Sequence, residues 1–387
     1  MTSYAALDGI LGAAAERGDV PGVVAVVGGP EGLRYEGAFG RRDLTKPQAM
    51  TPDTVAWIAS MTKAVTGAAA MQLVEQGRID LDAPAARHVA EIGKAQVLDG
   101  FDAAGQPKFR PPKRAITLRD LLTHTAGYSY EMWNPDILRY QEVTGTPSVT
   151  GCQNIALTTP LVADPGEAFE YGISIDWAGK MVEAVSGQHL EDYFAGNIFG
   201  PLGMNDTMFR MGPGQRERLA PIHARTPEGL APIDLTIPQE PEFFMGGGGL
   251  YSTARDYLAF TRMILNGGTG NGNRVLKAET VAEMTRDQIP QISIGTMKSA
   301  VPFATNDANF FPDVSQGWGL SFLINRERSP EGRTAGSLAW AGLANSYYWI
   351  DPRSGVTGIF VTQILPFFDI EAIRLFRAFE TAVYKAA

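Results

Sequence analysis

Ser60 and Lys63 stand three residues apart in the run Ala59 Ser60 Met61 Thr62 Lys63. If Ser60 lies in a first helical turn, this spacing brings a hydroxyl and an amine to one side of the helix, because residues three and four apart are surface neighbours there. A helix start also offers unpaired N–H groups and the positive end of its dipole, which favour an anion forming at the hydroxyl. The chemistry this suits is nucleophilic attack. A serine hydroxyl is a weak nucleophile until a base takes its proton, and a lysine can be that base only where burial or a neighbouring cation keeps part of it neutral. Read alone, the same residues also suit a capping serine followed by a surface lysine, so the elements around them carry the decision.

Ala64 through Gln76 contains Val65, Ala68, Ala69, Met71, Leu73 and Val74 with almost no charge before Glu75. A helix apolar nearly all round is a core element, and Gly77 followed by Arg78 and Ile79 is its stop. Such a helix is a rigid mount for a nucleophile. Ahead of it, Leu7, Ile10, Leu11 and Ala14 recur at helical spacing within residues 1–17. The valine-rich Val20 to Val27 and the run Leu33 to Phe39, separated by Gly28 Gly29 Pro30, predict a hairpin.

From Asp80 to about Pro241 helical segments alternate with Pro- and Gly-rich loops. Helices are expected over Leu118 to Thr123, Ile173 to Ser186 and Leu190 to Phe199. The four glycines Gly246 to Gly249 precede Leu250 Tyr251 and a helix from Ala254 to Leu265, with Ser252 or Thr253 as N-cap. The glycine run lacks the lysine and preceding strand of a phosphate loop, so close backbone approach is the expected reason for it. Gly317 to Ile324, Ser346 to Ile350 and Val356 to Ile364 return to strand texture, with a turn over Asp351 to Gly355, and Ile370 to Lys385 closes as an amphipathic helix. The fold class is therefore α+β with two lobes. One, residues 1–80 with 245–387, is a sheet assembled from both ends of the chain and flanked by helices; the other, residues 81–244, is an inserted, mostly helical lobe with long loops. The cleft between lobes is the expected site.

The chain has 387 residues, 44% hydrophobic and 19% charged, with 33 Lys plus Arg against 42 Asp plus Glu for a formal net charge of −9. Nucleic acid or an anionic membrane as partner would need clustered basic residues, and none are visible. Cys152 is the single cysteine, so no intrachain disulfide can form and nothing requires an oxidising compartment. Residues 1–17 lack the basic start and apolar core of a signal peptide, and no run reaches the roughly 18 apolar residues of a membrane span. The expected location is the cytoplasm. His88, His124, His189 and His223 are scattered without metal-ligand spacing, so neither a metal nor a cofactor is expected. No Gly, x, Ser, x, Gly elbow surrounds Ser60, which disfavours a serine, histidine, acid triad.

Tyr171 Gly172 Ile173 and Trp340 Ala341 Gly342, together with the Ser60 to Lys63 run, resemble the three motifs of the serine β-lactamase and penicillin-binding protein superfamily. Their order and spacing resemble the class C branch, and the departures resemble family VIII carboxylesterases. Leu121 to Tyr128 and Gly200 to Met204 are similar to that group too, so the resemblance spans nearly the whole chain and implies a β-lactamase-like fold. It implies Ser60 as nucleophile, Lys63 as its activator and Tyr171 as the proton relay to the leaving group. It places the oxyanion donors at the backbone N–H groups of Ser60 and Leu343, just after Gly342, and a second tyrosine at Tyr128. A phenolate at Tyr171 beside a lysine ammonium would form a shared base. Two departures matter: Ile173 replaces an asparagine able to hold substrate, and Trp340 replaces a lysine that binds a β-lactam carboxylate.

Trp133, Phe243, Phe244, Met245 and Trp340 are expected to line an apolar cleft for acyl or alcohol groups. The expected activity is hydrolysis of small, uncharged esters through an acyl-serine. β-Lactamase, D-amino-acid peptidase and acyltransferase are the rivals within the enzyme class. Ligand recognition without turnover is the rival outside it, disfavoured by the intact Ser60, Lys63 and Tyr171. The partner expected is a small ester; oligomeric state is left open.

Overall fold

Leu7, Leu11 and Ala14 bury one face of α1 (Ala5–Arg17), which Gly18 ends in the left-handed conformation, in a computed structural model that describes residues 4–386. The first three residues of the predicted N-terminal segment and the last of the chain lie outside the described residues. The predicted hairpin forms as β1 (Gly22–Gly29) and β2 (Gly32–Gly40). Next come α2 (Thr62–Glu75), α3 (Leu118–Leu122), α4 (Pro135–Thr144), α5 (Ser174–Ser186) and α6 (Ala254–Leu265). The C-terminal strands are β3 (Gln316–Trp318), β4 (Leu323–Asn325), β5 (Leu338–Gly342), β6 (Ser346–Asp351) and β7 (Val356–Val361), followed by α7 (Ile370–Ala386).

These strands make one seven-stranded sheet in the order β3-β4-β5-β6-β7-β1-β2. All its neighbours are antiparallel, and β1, buried along its length, joins the two ends of the chain by pairing Val24 with Val361 and Ala25 with Phe360. Successive side chains of β6 point to opposite faces. Tyr347 and Trp349 pack on Phe376 and Phe379 of α7, while Tyr348 between them meets Tyr257 of α6 on the other side. The sheet is thus sandwiched between helices. This is the expected α+β arrangement, an antiparallel sheet built from both ends of the chain and flanked by helices.

The run Gly317 to Ile324 is not one strand. Ser321 adopts φ 77° and the Gly319 N–H donates to the Phe322 carbonyl at 2.8 Å, so the chain reverses and two short strands pair with each other. The last apolar run also divides, ending β7 at Val361 and placing Ile364 and Leu365 in a small separate sheet beside His223 and Ala224. Helix α4 was not expected: Asn134 caps it by accepting from the Asp136 and Ile137 N–H groups, and Pro135 fills the first turn, where a missing N–H costs nothing. Among the described residues no helix is long and apolar enough to cross a membrane.

The central helix α2 is buried from Thr62 to Leu73. Its end is closed as its sequence predicts, with Gly77 at φ 70° and the Arg78 N–H returning to the Leu73 carbonyl. It packs against α5. Three polar side chains near its start stitch it to the glycine run: Thr62 Oγ1 accepts the Leu250 N–H, and Lys63 Nζ and Thr66 Oγ1 donate to the Gly247 and Gly246 carbonyls. Thr253 is the N-cap of α6.

Candidate active site

Ser60 lies in a short 3-10 turn, Ala59–Met61, that leads straight into α2. Ala59 before it has φ 45°, a conformation that costs a non-glycine residue roughly 1 kcal/mol or more and persists only where the surroundings impose it. They do so here. The Ile58 N–H donates to the Leu250 carbonyl, Tyr257 Oη donates to the Met61 carbonyl at 2.8 Å, and Trp57 Nε1 donates to the Gly248 carbonyl at 2.7 Å. The nucleophile's backbone is held from both sides.

Lys63, fully buried, reaches back so that Nζ lies 3.0 Å from Ser60 Oγ, 3.0 Å from Tyr130 Oη and 2.6 Å from the Gly247 carbonyl. An ammonium would donate to all three, whereas a neutral amine donates to two and turns its lone pair to the third. Burial pushes the Lys63 amine below its ordinary value, and the negative charge of Asp176 partly opposes that. The lone pair can therefore face the Ser60 hydroxyl.

Tyr171 stands just ahead of α5, its ring centroid 4.7 Å from Lys63 Nζ. Its Oη accepts a hydrogen bond from Trp340 Nε1 at 2.8 Å. Burial pushes the Tyr171 phenol well up, opposed by hydrogen bonds with Ser60 and Trp340, and burial likewise raises Tyr130. Both rings are thus favoured as neutral phenols, so the expectation of a phenolate at Tyr171 gives way to a neutral proton carrier beside a desolvated amine. His124, also buried against Tyr171, is pushed well below its ordinary value by burial and then by Lys63.

A cavity of about 50 Å³ opens over Ser60, walled by Trp57, Met132, Trp133, Met245, Trp340 and Phe367 among others. Gly342 and Leu343 form one edge. A Cβ at Gly342 would fall 2.4 Å from the Ile58 carbonyl oxygen, so only glycine lets β5 approach the nucleophile's turn this closely. The N–H groups of Ser60 and Leu343 make no hydrogen bond among the described residues. They are two free donors on one cavity.

Ser60, Lys63, Tyr171, Trp340, Gly342 and Leu343 are thus brought together. Tyr128, Phe243 and Phe244 are not. Tyr128 is turned the other way, its ring against Trp177 of α5 at 6.4 Å, and it lines a separate, larger groove with Tyr140, Trp177 and Lys180. The tyrosine that reaches Lys63 is Tyr130, two residues on, drawn in by its N–H bond to the Tyr171 carbonyl. Phe243 is buried beneath Lys180, and Phe244 packs on Phe209 and His189. The chain turns sharply after them, with the Met245 carbonyl accepting the Gly248 and Gly249 N–H groups, and so only Met245 of the three reaches the cavity. Asp176 was missed as well. Its signal is a carboxylate on the buried face of α5 between Ile175 and Trp177.

The Beta-lactamase family pattern matches residues 7–382. The chain belongs to the Beta-lactamase family. Within this superfamily, the monacolin J acid methylbutanoyltransferase of Aspergillus terreus is 31% identical over 383 residues, covering 94% of this chain and 92% of the relative. The lovastatin esterase of Penicillium rubens is 30% identical over 381 residues, covering 93% of each. The unliganded simvastatin synthase of Aspergillus terreus superimposes with a TM-score of 0.87 at 29% identity, over 98% of this chain and 97% of that one.

In this member of the Beta-lactamase family the indole at Trp340 does more than wall the cavity, since its N–H fixes the Tyr171 hydroxyl. Trp340→Phe keeps most of the wall and deletes the donor. Turnover is expected to fall roughly three- to tenfold, the worth of one hydrogen bond, with KM little changed. Steady-state kinetics on one small ester check this, and an unchanged turnover would show that the bond is idle.

Proposed function

We propose that the protein is a carboxylesterase of the family VIII type, which cleaves short-chain, uncharged esters through an acyl-Ser60 intermediate. The observation that carries this reading is the fully buried Lys63 amine 3.0 Å from Ser60 Oγ, a base desolvated enough to take the serine proton. Ser60 Oγ attacks the ester carbonyl as its proton passes to Lys63 Nζ. The oxyanion is received by the Ser60 and Leu343 N–H groups. Tyr171 gives its phenol proton to the departing alcohol and is restored by the proton that Lys63 took from Ser60, and water then releases the acid by the reverse path. The cavity supports small substrates, because about 50 Å³ accommodates a few waters or a short acyl chain, and it supports uncharged ones because no charged side chain among the described residues lines it.

Transfer of the acyl group to an alcohol is the second reading, favoured by the methylbutanoyltransferase relative and by an apolar wall that disfavours water. One experiment separates the two: p-nitrophenyl esters of graded acyl length, with and without a primary alcohol acceptor, followed for both acid and new ester. Hydrolysis fastest for two- to four-carbon acyl groups with little ester formed supports the esterase. Ester product exceeding acid at modest acceptor concentration establishes the transferase, and absence of any turnover overturns both.

A further inference from the structure

Beneath the lysine lies a carboxylate that the reaction just described does not use. Asp176, in the first turn of α5, is 1% exposed. Its Oδ1 accepts the Gly247 N–H at 2.8 Å, and its Oδ2 has no hydrogen-bond partner among the described residues. No Lys or Arg makes an ion pair with it there. A buried carboxylate with one oxygen unpaired is costly, and such a cost persists where function holds it.

Gly247 continues the path. Its N–H faces Asp176 and its carbonyl accepts from Lys63 Nζ at 2.6 Å, so a single residue joins the buried acid to the buried amine. A Cβ at 247 would lie 2.6 Å from Asp176 Oδ2, which makes glycine the residue that permits this approach. We propose that Asp176 is a positioning residue for Lys63: through Gly247 it fixes the carbonyl that aims the amine at Ser60, and its carboxylate balances the charge of the lysine inside the fold. The proposal rests on Ser60 being the nucleophile.

Four other titratable groups around the pair, His124, Tyr130, Tyr171 and Cys152, are favoured as neutral. His124, following α3, is depressed by burial first and by Lys63 second; Tyr130 and Tyr171 are raised by burial; Cys152 is pushed up to about 12, again chiefly by burial. On α3, Asp120 is taken up by Arg114, and on α5 Lys180 pairs with Glu183. Glu131 is half-buried beside Tyr130, on which it acts. Lys63 and Asp176 remain to share the charge. Burial lowers the first and raises the second, and each opposes the other's shift.

The test is Asp176→Asn, which keeps an oxygen for the Gly247 N–H and removes the charge. The carboxylate favours the ammonium form of Lys63, so its loss leaves the amine neutral to lower pH. The acid limb of kcat/KM on a short-chain ester is expected to move down by about one pH unit or more, since a close opposite charge shifts a pKa by about 1–3. A purely structural role would lower activity alike at every pH. A folded, active Asp176→Asn whose acid limb matches wild type overturns the proposal. Lys63→Met tests the pair from the other side, by thermal melting. Without the lysine the folded-state pKa of Asp176 stands still further above its unfolded value, so this variant should lose Tm relative to wild type as pH rises from about 5 to 8. Adding Asp176→Asn should remove that dependence, and melting curves of Lys63→Met that track wild type across pH would overturn the pairing. An active Ser60→Ala protein would sink the esterase reading and with it the aiming of the amine at Ser60, whereas the charge pairing of Lys63 with Asp176 is judged separately by the melting arm, which needs no turnover.

Discussion

Ser60→Ala is expected to lower ester hydrolysis by at least about 10⁴-fold, since removing a nucleophile whose partners act as a unit forfeits nearly all of their joint contribution. A serine-directed phosphonate should add its mass to wild-type protein once, with the adduct on Ser60. The geometry gives the reason. Of the aliphatic hydroxyls around the cavity among the described residues, Ser60 Oγ is the one at hydrogen-bond distance from the desolvated Lys63 amine, while its own N–H and that of Leu343 remain free to receive an oxyanion. Lys63→Ala and Tyr171→Phe should each cost on the order of 10² or more, the usual worth of a positioned acid-base group. Together they should cost less than the product of the two, because both lie on one proton path. An adduct on another serine, or a double variant showing the simple product, would contradict this arrangement.

Much of that arrangement was legible because it depends on local pattern. The spacing of Ser60 and Lys63 and the apolar surround of α2 follow from helical periodicity. The sheet's two-ended construction follows from valine-rich runs near one terminus and aromatic runs near the other. What escaped depends on contacts distant in sequence. Tyr128 and Tyr130 are equal as residue types, and only the pairing of Tyr130 with the Tyr171 carbonyl decides which ring meets Lys63. Phe243 and Phe244 lose the cavity to Met245 through a turn that glycine flexibility allows but does not announce. The reversal at Ser321 was hidden because a non-glycine residue takes φ 77° there, inside a stretch whose Trp318, Leu320, Phe322 and Ile324 alternate as in a single strand. Asp176 was overlooked because the motif before it, Tyr171 Gly172 Ile173, drew the reading to the residues it matches, while the acid's meaning lies in Gly247, 71 residues away.

The same geometry sets an expectation for β-lactams. Such a substrate carries a carboxylate, and an anion entering a partly dry cleft loses hydration unless a cation or several donors replace it. Trp340 occupies one expected contact, and its indole N–H is already spent on Tyr171. Ile173 occupies the other with an aliphatic side chain, 3% exposed at the head of α5, and does not reach the cavity. Lys63 cannot supply the cation, being fully buried beneath Ser60 and committed to three partners. Short-chain esters should therefore be turned over better than penicillins or cephalosporins by about 10³ or more in kcat/KM, within the roughly 10⁴ to 10⁵ that loss of designed polar contacts can cost. Slow opening of a chromogenic cephalosporin is compatible with this, because acylation uses the same serine. Trp340→Lys should lower activity on apolar esters twice over, by removing a wall and by releasing the Tyr171 hydroxyl, while gaining at most a modest rise in lactam turnover with Ile173 still in place. The measurement is kcat/KM for the best short ester beside nitrocefin and a penicillin on one wild-type preparation, and equal efficiencies would mean that the carboxylate finds a partner these walls do not show.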